Sequence, residues 1–149
     1  MSTNSSSAVK DLLPAQAWDL LKSNPTSVLI DVRTKAEWSF VGKPDLSSLT
    51  RSVITIEWCR YPDMSVNPRF VEEMTDALDG NVPSQLLFIC RSGVRSMNAA
   101  LAVQASLSAD APSMELFNVA EGFEGDLNPE KHRGGLNGWK ANGLPWQQS

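Results

Sequence analysis

The chain has 149 residues, enough for one domain with a real core and too few for two catalytic domains, so a single site is expected. Its 13 basic and 17 acidic side chains leave a net charge of -4, which removes the broad electrostatic attraction on which nucleic-acid binding relies. No apolar run approaches the roughly 18 residues of a membrane helix, and Met1 to Ser7 lacks the basic start and apolar segment of a secretory signal. A cytoplasmic protein with neither nucleic-acid nor membrane partners is expected.

Two cysteines, Cys59 and Cys90, stand far apart and in no C-x-x-C arrangement, which gives a disulfide scaffold or a zinc site little support. His132 is the sole histidine, so no metal site or cofactor is expected and chemistry must manage largely without imidazole.

In chain order, residues 1–8 are polar and Ser-rich and are expected to form a flexible tail, with 9–149 as one domain. A short strand around Val9 to Leu12 leads to a helix opened by Pro14, running to about Ser23 and stopped by Asn24-Pro25. The β-branched run Ser27 to Val32 reads as a strand covered on both faces. Thr34 and Glu37 fit a capping box for a short helix through Trp38 and Phe40. Arg51 to Ile56 predicts a strand, and Asn67-Pro68 opens a helix carrying Phe70, Val71, Met74 and Leu78, closed by Gly80. Leu86 to Ile89 is the most apolar strand, followed by an Ala-rich helix from Ser96 to about Ser106; Met114 to Val119 is the last strand. Strands alternating with helices predict an α/β sandwich, a mainly parallel sheet of about five strands flanked by helices. Ligands bind such sheets at the carboxyl ends of strands, where Cys90 falls.

The informative segment is Cys90-Arg91-Ser92-Gly93-Val94-Arg95-Ser96, between a buried strand and a helix. A tight Gly-containing turn and a helix N-terminus cradle negative charge, and two arginines add to it. A cysteine there should lose its proton below the ordinary value near 8.5 and attack without a histidine base.

These residues resemble the active-site loop of the rhodanese sulfurtransferases. Leu29 to Arg33 followed by Glu37-Trp38 is similar to that family's early signature, and Asn118-Val119 with Gly122, Gly125, Trp139 and Gly143 to Trp146 to its C-terminal pattern. The resemblance implies a single-domain rhodanese-like fold and sulfur transfer through a Cys90 persulfide. It implies a small anionic sulfur donor such as thiosulfate and a thiol acceptor, with a protein donor or acceptor as the other source. Arg91 and Arg95 would orient the donor, and the N–H groups from Ser92 through Gly93 and Val94 to Ser96 would stabilise the terminal sulfur. A non-catalytic sulfur carrier or binding module of the same fold is the alternative. A phosphatase or arsenate reductase fits less well, because four residues separate Cys90 from Arg95 where phosphatases of similar frame place five.

The common passage after the early signature is replaced here by Val41-Gly42-Lys43-Pro44-Asp45, and Gly125 to Gly135 is an apparent insertion. Asp31 and Arg33 read as scaffold, with Arg33 paired to Glu37. Cys59 reads as structural or incidental rather than as a resolving or relay thiol, the tryptophans as packing or lid residues, His132 and Arg133 as an exposed loop rather than as a closure over the pocket that steers anions, and Glu121 and Glu124 as a solvated edge.

Overall fold

The computed structural model describes residues 9–107 and 114–148; the expected tail at residues 1–8 lies outside them. Five parallel strands form the main sheet in the order β1 (Lys10–Leu12), β8 (Glu115–Val119), β7 (Gln85–Ile89), β2 (Ser27–Asp31) and β4 (Ile54–Thr55). In chain order they alternate with α1 (Pro14–Ser23), α2 (Lys35–Phe40), α3 (Phe70–Leu78) and α4 (Val94–Ser106).

The central strands are apolar at nearly every position because both faces are covered. On β7, Leu86 and Phe88 point to one face together with Cys90 just beyond it, joining Phe70 and Met74 of α3 and Ala99, Ala100 and Val103 of α4. Leu87 and Ile89 point to the other, where Ala17 and Leu21 of α1 meet Phe123 and Trp139. The small side chains of α4 let that helix lie close on the sheet, which fixes where its N-terminus stands over the strand ends.

Two differences from the sequence reading concern edges. Only Ile54–Thr55 of the Arg51 to Ile56 run pairs, in register with Ile30 and Asp31. Two small antiparallel pairs also flank the sheet: β3 (Lys43–Pro44) with β9 (Trp146–Gln147), and β5 (Cys59–Arg60) with β6 (Ser65–Val66). The first brings the C-terminal Trp146 back onto the passage after α2, and the second projects a hairpin beside the carboxyl ends of β2 and β4. Among the described residues no helix is long and apolar enough to cross a membrane.

Candidate functional site

Cys90 leaves β7 with its side chain only 1% exposed, deeper than the cradle mouth the sequence suggests. The Gly93 N–H donates to Sγ at 3.1 Å, and Ser96 Oγ lies 3.2 Å from the same sulfur. Gly93 has φ of 112°, a backbone that side-chain-bearing residues rarely adopt, and this turns the chain directly into α4. The helix therefore starts at Val94 rather than near Ser96, and Val94, Arg95 and Ser96 form its first turn, whose N–H groups have no intrahelical partners.

The loop is held from behind by the segment after β8. Phe123 N–H donates to the Cys90 carbonyl at 2.7 Å, and the Glu124 and Gly125 N–H groups donate to the Arg91 carbonyl at 3.0 and 3.1 Å. That approach requires Gly122: a Cβ there would lie 2.5 Å from the Cys90 oxygen and 2.6 Å from the Arg91 carbonyl carbon.

Ser96 links the sulfur to a chain of side chains that runs through buried Asn118 to Asp11 at the surface. Its hydroxyl also meets Asn118 Oδ1, and Asn118 Nδ2 donates to Asp11 Oδ1 at 3.0 Å. A carboxylate only accepts, so Asp11 fixes which end of the Asn118 amide faces Ser96. Ser96 then has one proton for two acceptors. While Asn118 holds it, the Cys90 sulfur keeps the Gly93 N–H as its donor.

Arg95 forks onto Glu37, with Nη1 to Oε1 and Nη2 to Oε2 both 2.8 Å, joining the first turn of α4 to α2. Glu37 also closes the expected capping box, accepting from Thr34 N–H at 3.1 Å. Burial opposes ionisation of Glu37, but the Arg95 and Thr34 bonds outweigh it and hold its pKa at about 2, against an ordinary 4.5. Burial likewise disfavours the Arg95 charge, and the Glu37 pair outweighs it, raising the arginine's pKa.

This corrects the expected Arg33–Glu37 pair. Arg33 is fully buried and pairs with Asp31 instead, Nη2 to Oδ2 at 2.7 Å, while also donating to the Gly42 carbonyl and lying over the Phe123 ring. Two residues apart on an extended chain, Asp31 and Arg33 point the same way. Burial then leaves each as the other's counter-charge, so their role as scaffold stands and the partner changes.

Over the loop opens a cavity of about 460 Å³, lined by Arg91, Arg95, Lys131 and Arg133, by Glu37 and Glu124, and by Val41, Tyr61, Met64 and Leu127. Of the candidate residues, Arg91 and Arg95 face this cavity. Ser92, Gly93 and Val94 instead line a shallower groove on the other side with Asp11 and Asn118, and Ser96 is buried between the two. A larger cavity of about 680 Å³, between Lys35, Trp38, Glu57, Arg60, Tyr61 and Glu73, lies against the other face of the β5–β6 hairpin; its two cations are matched in number by two carboxylates, and Arg60 pairs with Glu73.

Sequence reasoning missed Glu37 as the partner of Arg95, 58 residues away, and missed the Asp11–Asn118 support. It also left Lys131 unplaced, read Arg133 as exposed loop where it lines the cavity, and read Glu121 and Glu124 as a solvated edge. Glu121 in fact caps the Gly138 N–H at 3.1 Å, and Glu124 is a cavity wall. Cys59 is half-buried; burial pushes its thiol up, and the charge of Arg95 offsets this only in part.

No protein-family model matches the chain. An uncharacterised protein of Rickettsia conorii is 32% identical over 140 residues, 94% of this chain and 98% of that protein. The crystal structure of Rv0390 from Mycobacterium tuberculosis is 45% identical, with a TM-score of 0.80 over 95% of this chain and 98% of that one. The fold is shared with a polysulfide-sulfur transferase homodimer of Wolinella succinogenes, at 18% identity and a TM-score of 0.54 over 98% of this chain and 84% of that one. It is shared also with a Rhodopseudomonas palustris protein of unknown function described as a possible tyrosine phosphatase, at 20% identity and a TM-score of 0.51 over 97% and 87%. With a five-stranded parallel sheet presenting Cys90 at the strand-to-helix turn, the chain has a rhodanese-like α/β fold, and it belongs to one family with the Rickettsia protein and Rv0390, both matched along nearly their full length.

Proposed function

We propose that the protein is a sulfurtransferase in which Cys90 carries sulfane sulfur as a persulfide between an anionic donor and a thiol acceptor. The observation that supports this most is the sulfur's setting: Gly93 N–H at 3.1 Å and Ser96 Oγ at 3.2 Å, in a loop whose Arg91 and Arg95 wall a cavity with more cations than carboxylates. With thiosulfate as donor, the Cys90 thiolate attacks the outer sulfur, the S–S bond of thiosulfate breaks, and its electron pair leaves with sulfite. The persulfide's terminal sulfur carries the charge, within reach of the N–H groups from Ser92 to Ser96. A thiolate then attacks that outer sulfur and returns the electron pair to Cys90. No net oxidation occurs, and no cofactor is called for.

Intact mass after incubation with thiosulfate and gentle desalting tests the reading. The expected result is a one-sulfur adduct, absent in Cys90→Ser and discharged by added thiol; no adduct on the wild-type chain overturns catalysis with this donor. Were only a co-purified protein donor able to load Cys90, the chain would instead be a carrier. The phosphatase reading draws on the Rhodopseudomonas neighbour, and Cys90-dependent hydrolysis of an aryl phosphate would revive it. Against it stand the four-residue spacing from Cys90 to Arg95 and the commitment of Arg95 to Glu37.

A further inference from the structure

The cavity beside the Cys90 loop, walled by Arg91 and Arg95, is larger than an inorganic donor requires. At about 30 Å³ per water, its 460 Å³ equals roughly fifteen waters, within the range of sites for organic ligands and far beyond a single oxyanion. Its walls are amphipathic. Val41, Tyr61, Met64 and Leu127 supply apolar surface, and the cations are unevenly satisfied. Arg95 is neutralised by Glu37, while Arg91, Lys131 and Arg133 make no ion pair with any described residue. Three uncompensated cations against one carboxylate, Glu124, stand out in a chain of net charge -4.

Two of those cations come from the insertion, and the insertion is built to hold them. Asn128 Oδ1 accepts from Glu130 N–H at 3.0 Å and His132 N–H at 2.9 Å, while Asn128 and His132 also bond through their backbones at 2.8 Å. This turn holds Lys131 at φ of 65°, a left-handed backbone that lysine disfavours. Arg133 Nη1 donates to the Gly125 carbonyl at 2.7 Å, tying the insertion to the segment that grips the Cys90 loop.

We infer that this cavity is the subsite of the second substrate, an organic thiol bearing two carboxylates, and that Lys131, Arg133 and Arg91 bind those carboxylates while the thiol meets the Cys90 persulfide. The inference rests on the sulfurtransferase reading for its chemistry. The acceptor thiolate attacks the outer sulfur, the S–S bond to Cys90 Sγ breaks, Cys90 leaves as thiolate, and the acceptor departs as a persulfide with sulfur and charge conserved.

The test uses the persulfide-loaded full chain and a charge series of small thiols: mercaptosuccinate, 3-mercaptopropionate, 2-mercaptoethanol and cysteamine, compared at equal thiolate concentration. Mercaptosuccinate is expected to discharge the sulfur faster than 2-mercaptoethanol, by on the order of tenfold at low salt, with cysteamine slowest. Lys131→Glu should collapse the mercaptosuccinate to 2-mercaptoethanol ratio. Lys22→Glu, the same charge change on the helix that precedes β2 at the opposite end of the sheet, should leave that ratio alone. Equal rates across the series, or a ratio indifferent to Lys131→Glu, overturn the inference. A second readout needs no sulfur transfer: methylthiosuccinate, which has no thiol, should protect Cys90 saturably from iodoacetamide, and Lys131→Glu should abolish the protection. If no persulfide forms yet this protection is seen, the sulfurtransferase reading fails and the subsite stands; no protection removes the subsite whatever the outcome with thiosulfate.

Discussion

Replacing Glu37 by Gln isolates a single charge. Glutamine retains an Oε1 that can accept the Thr34 bonds, so the helix cap survives while the counter-charge of Arg95 is lost. The carboxyl's pKa of about 2 in the fold, against 4.5 ordinarily, corresponds to about 3 kcal/mol at 1.36 kcal/mol per pK unit. Side-chain exposures of 14% for Glu37 and 18% for Arg95 leave little room for solvent to screen it away. Because the folded-state value lies below the unfolded one, this stability is complete above about pH 4.5, declines as pH falls, and is gone below about pH 2. Urea unfolding at a series of pH values should therefore find Glu37→Gln less stable by about 3 kcal/mol at pH 7, with the gap to wild type closing between pH 4.5 and 2. A gap that stays constant down to pH 2 would refute the assignment of this stability to the ionised pair.

Further expectations concern the loop itself. Gly122→Ala forces a Cβ onto the Cys90 and Arg91 backbone at a φ of 64°, and should cost about 2 kcal/mol or more in urea unfolding and slow persulfide formation; wild-type values for both would contradict the close approach. Asp11→Ala frees the Asn118 amide to turn its Nδ2 toward Ser96, leaving the serine proton for the Cys90 sulfur, so iodoacetamide should alkylate Cys90 several-fold faster at neutral pH. An unchanged rate would mean that the chain from Asp11 does not govern the serine. Cys59→Ser should leave persulfide formation intact, and Cys59, its thiol pushed up by burial, should alkylate slowly at pH 7; mass spectrometry locating the sulfur on Cys59 would reverse this.

Much of this architecture was legible because it depends on local pattern. Continuous apolar runs covered on both faces marked β2 and β7, and the capping box at Thr34 and Glu37 marked the start of α2, since the four residues from Thr34 to Glu37 contain both its partners. The resemblance of the Cys90 loop pointed to a fold that the relatives share. What escaped was set by partners distant in sequence. Nothing near Lys43 announces that it will pair with Gln147, and nothing near Arg95 announces Glu37. The Arg33 error has the same origin: proximity along a helix turn suggested Glu37, whereas burial made the nearer Asp31 the required counter-charge. The insertion carries no periodic signal, and its turn depends on side-chain bonds from one asparagine, so Lys131 could be placed only in three dimensions.

The glycines of the C-terminal pattern acquire a chemical meaning from peptide geometry. In a trans peptide the N–H points opposite the carbonyl. The amides of Phe123, Glu124 and Gly125 take the carbonyls of Cys90 and Arg91, drawing those oxygens to the rear of the loop. The N–H groups of Arg91 and Ser92, which belong to the same two peptide planes, must then point away from that segment, and no carbonyl dipole of these planes opposes negative charge on the sulfur. The segment after β8 thus does for the first half of the loop what the start of α4 does for the second, and it can approach closely enough only because residue 122 has no side chain. On the sulfurtransferase reading, the loop that would hold the persulfide's charge is built by two stretches of chain some thirty residues apart, and this accounts for a motif centred on one cysteine being accompanied by glycines far downstream.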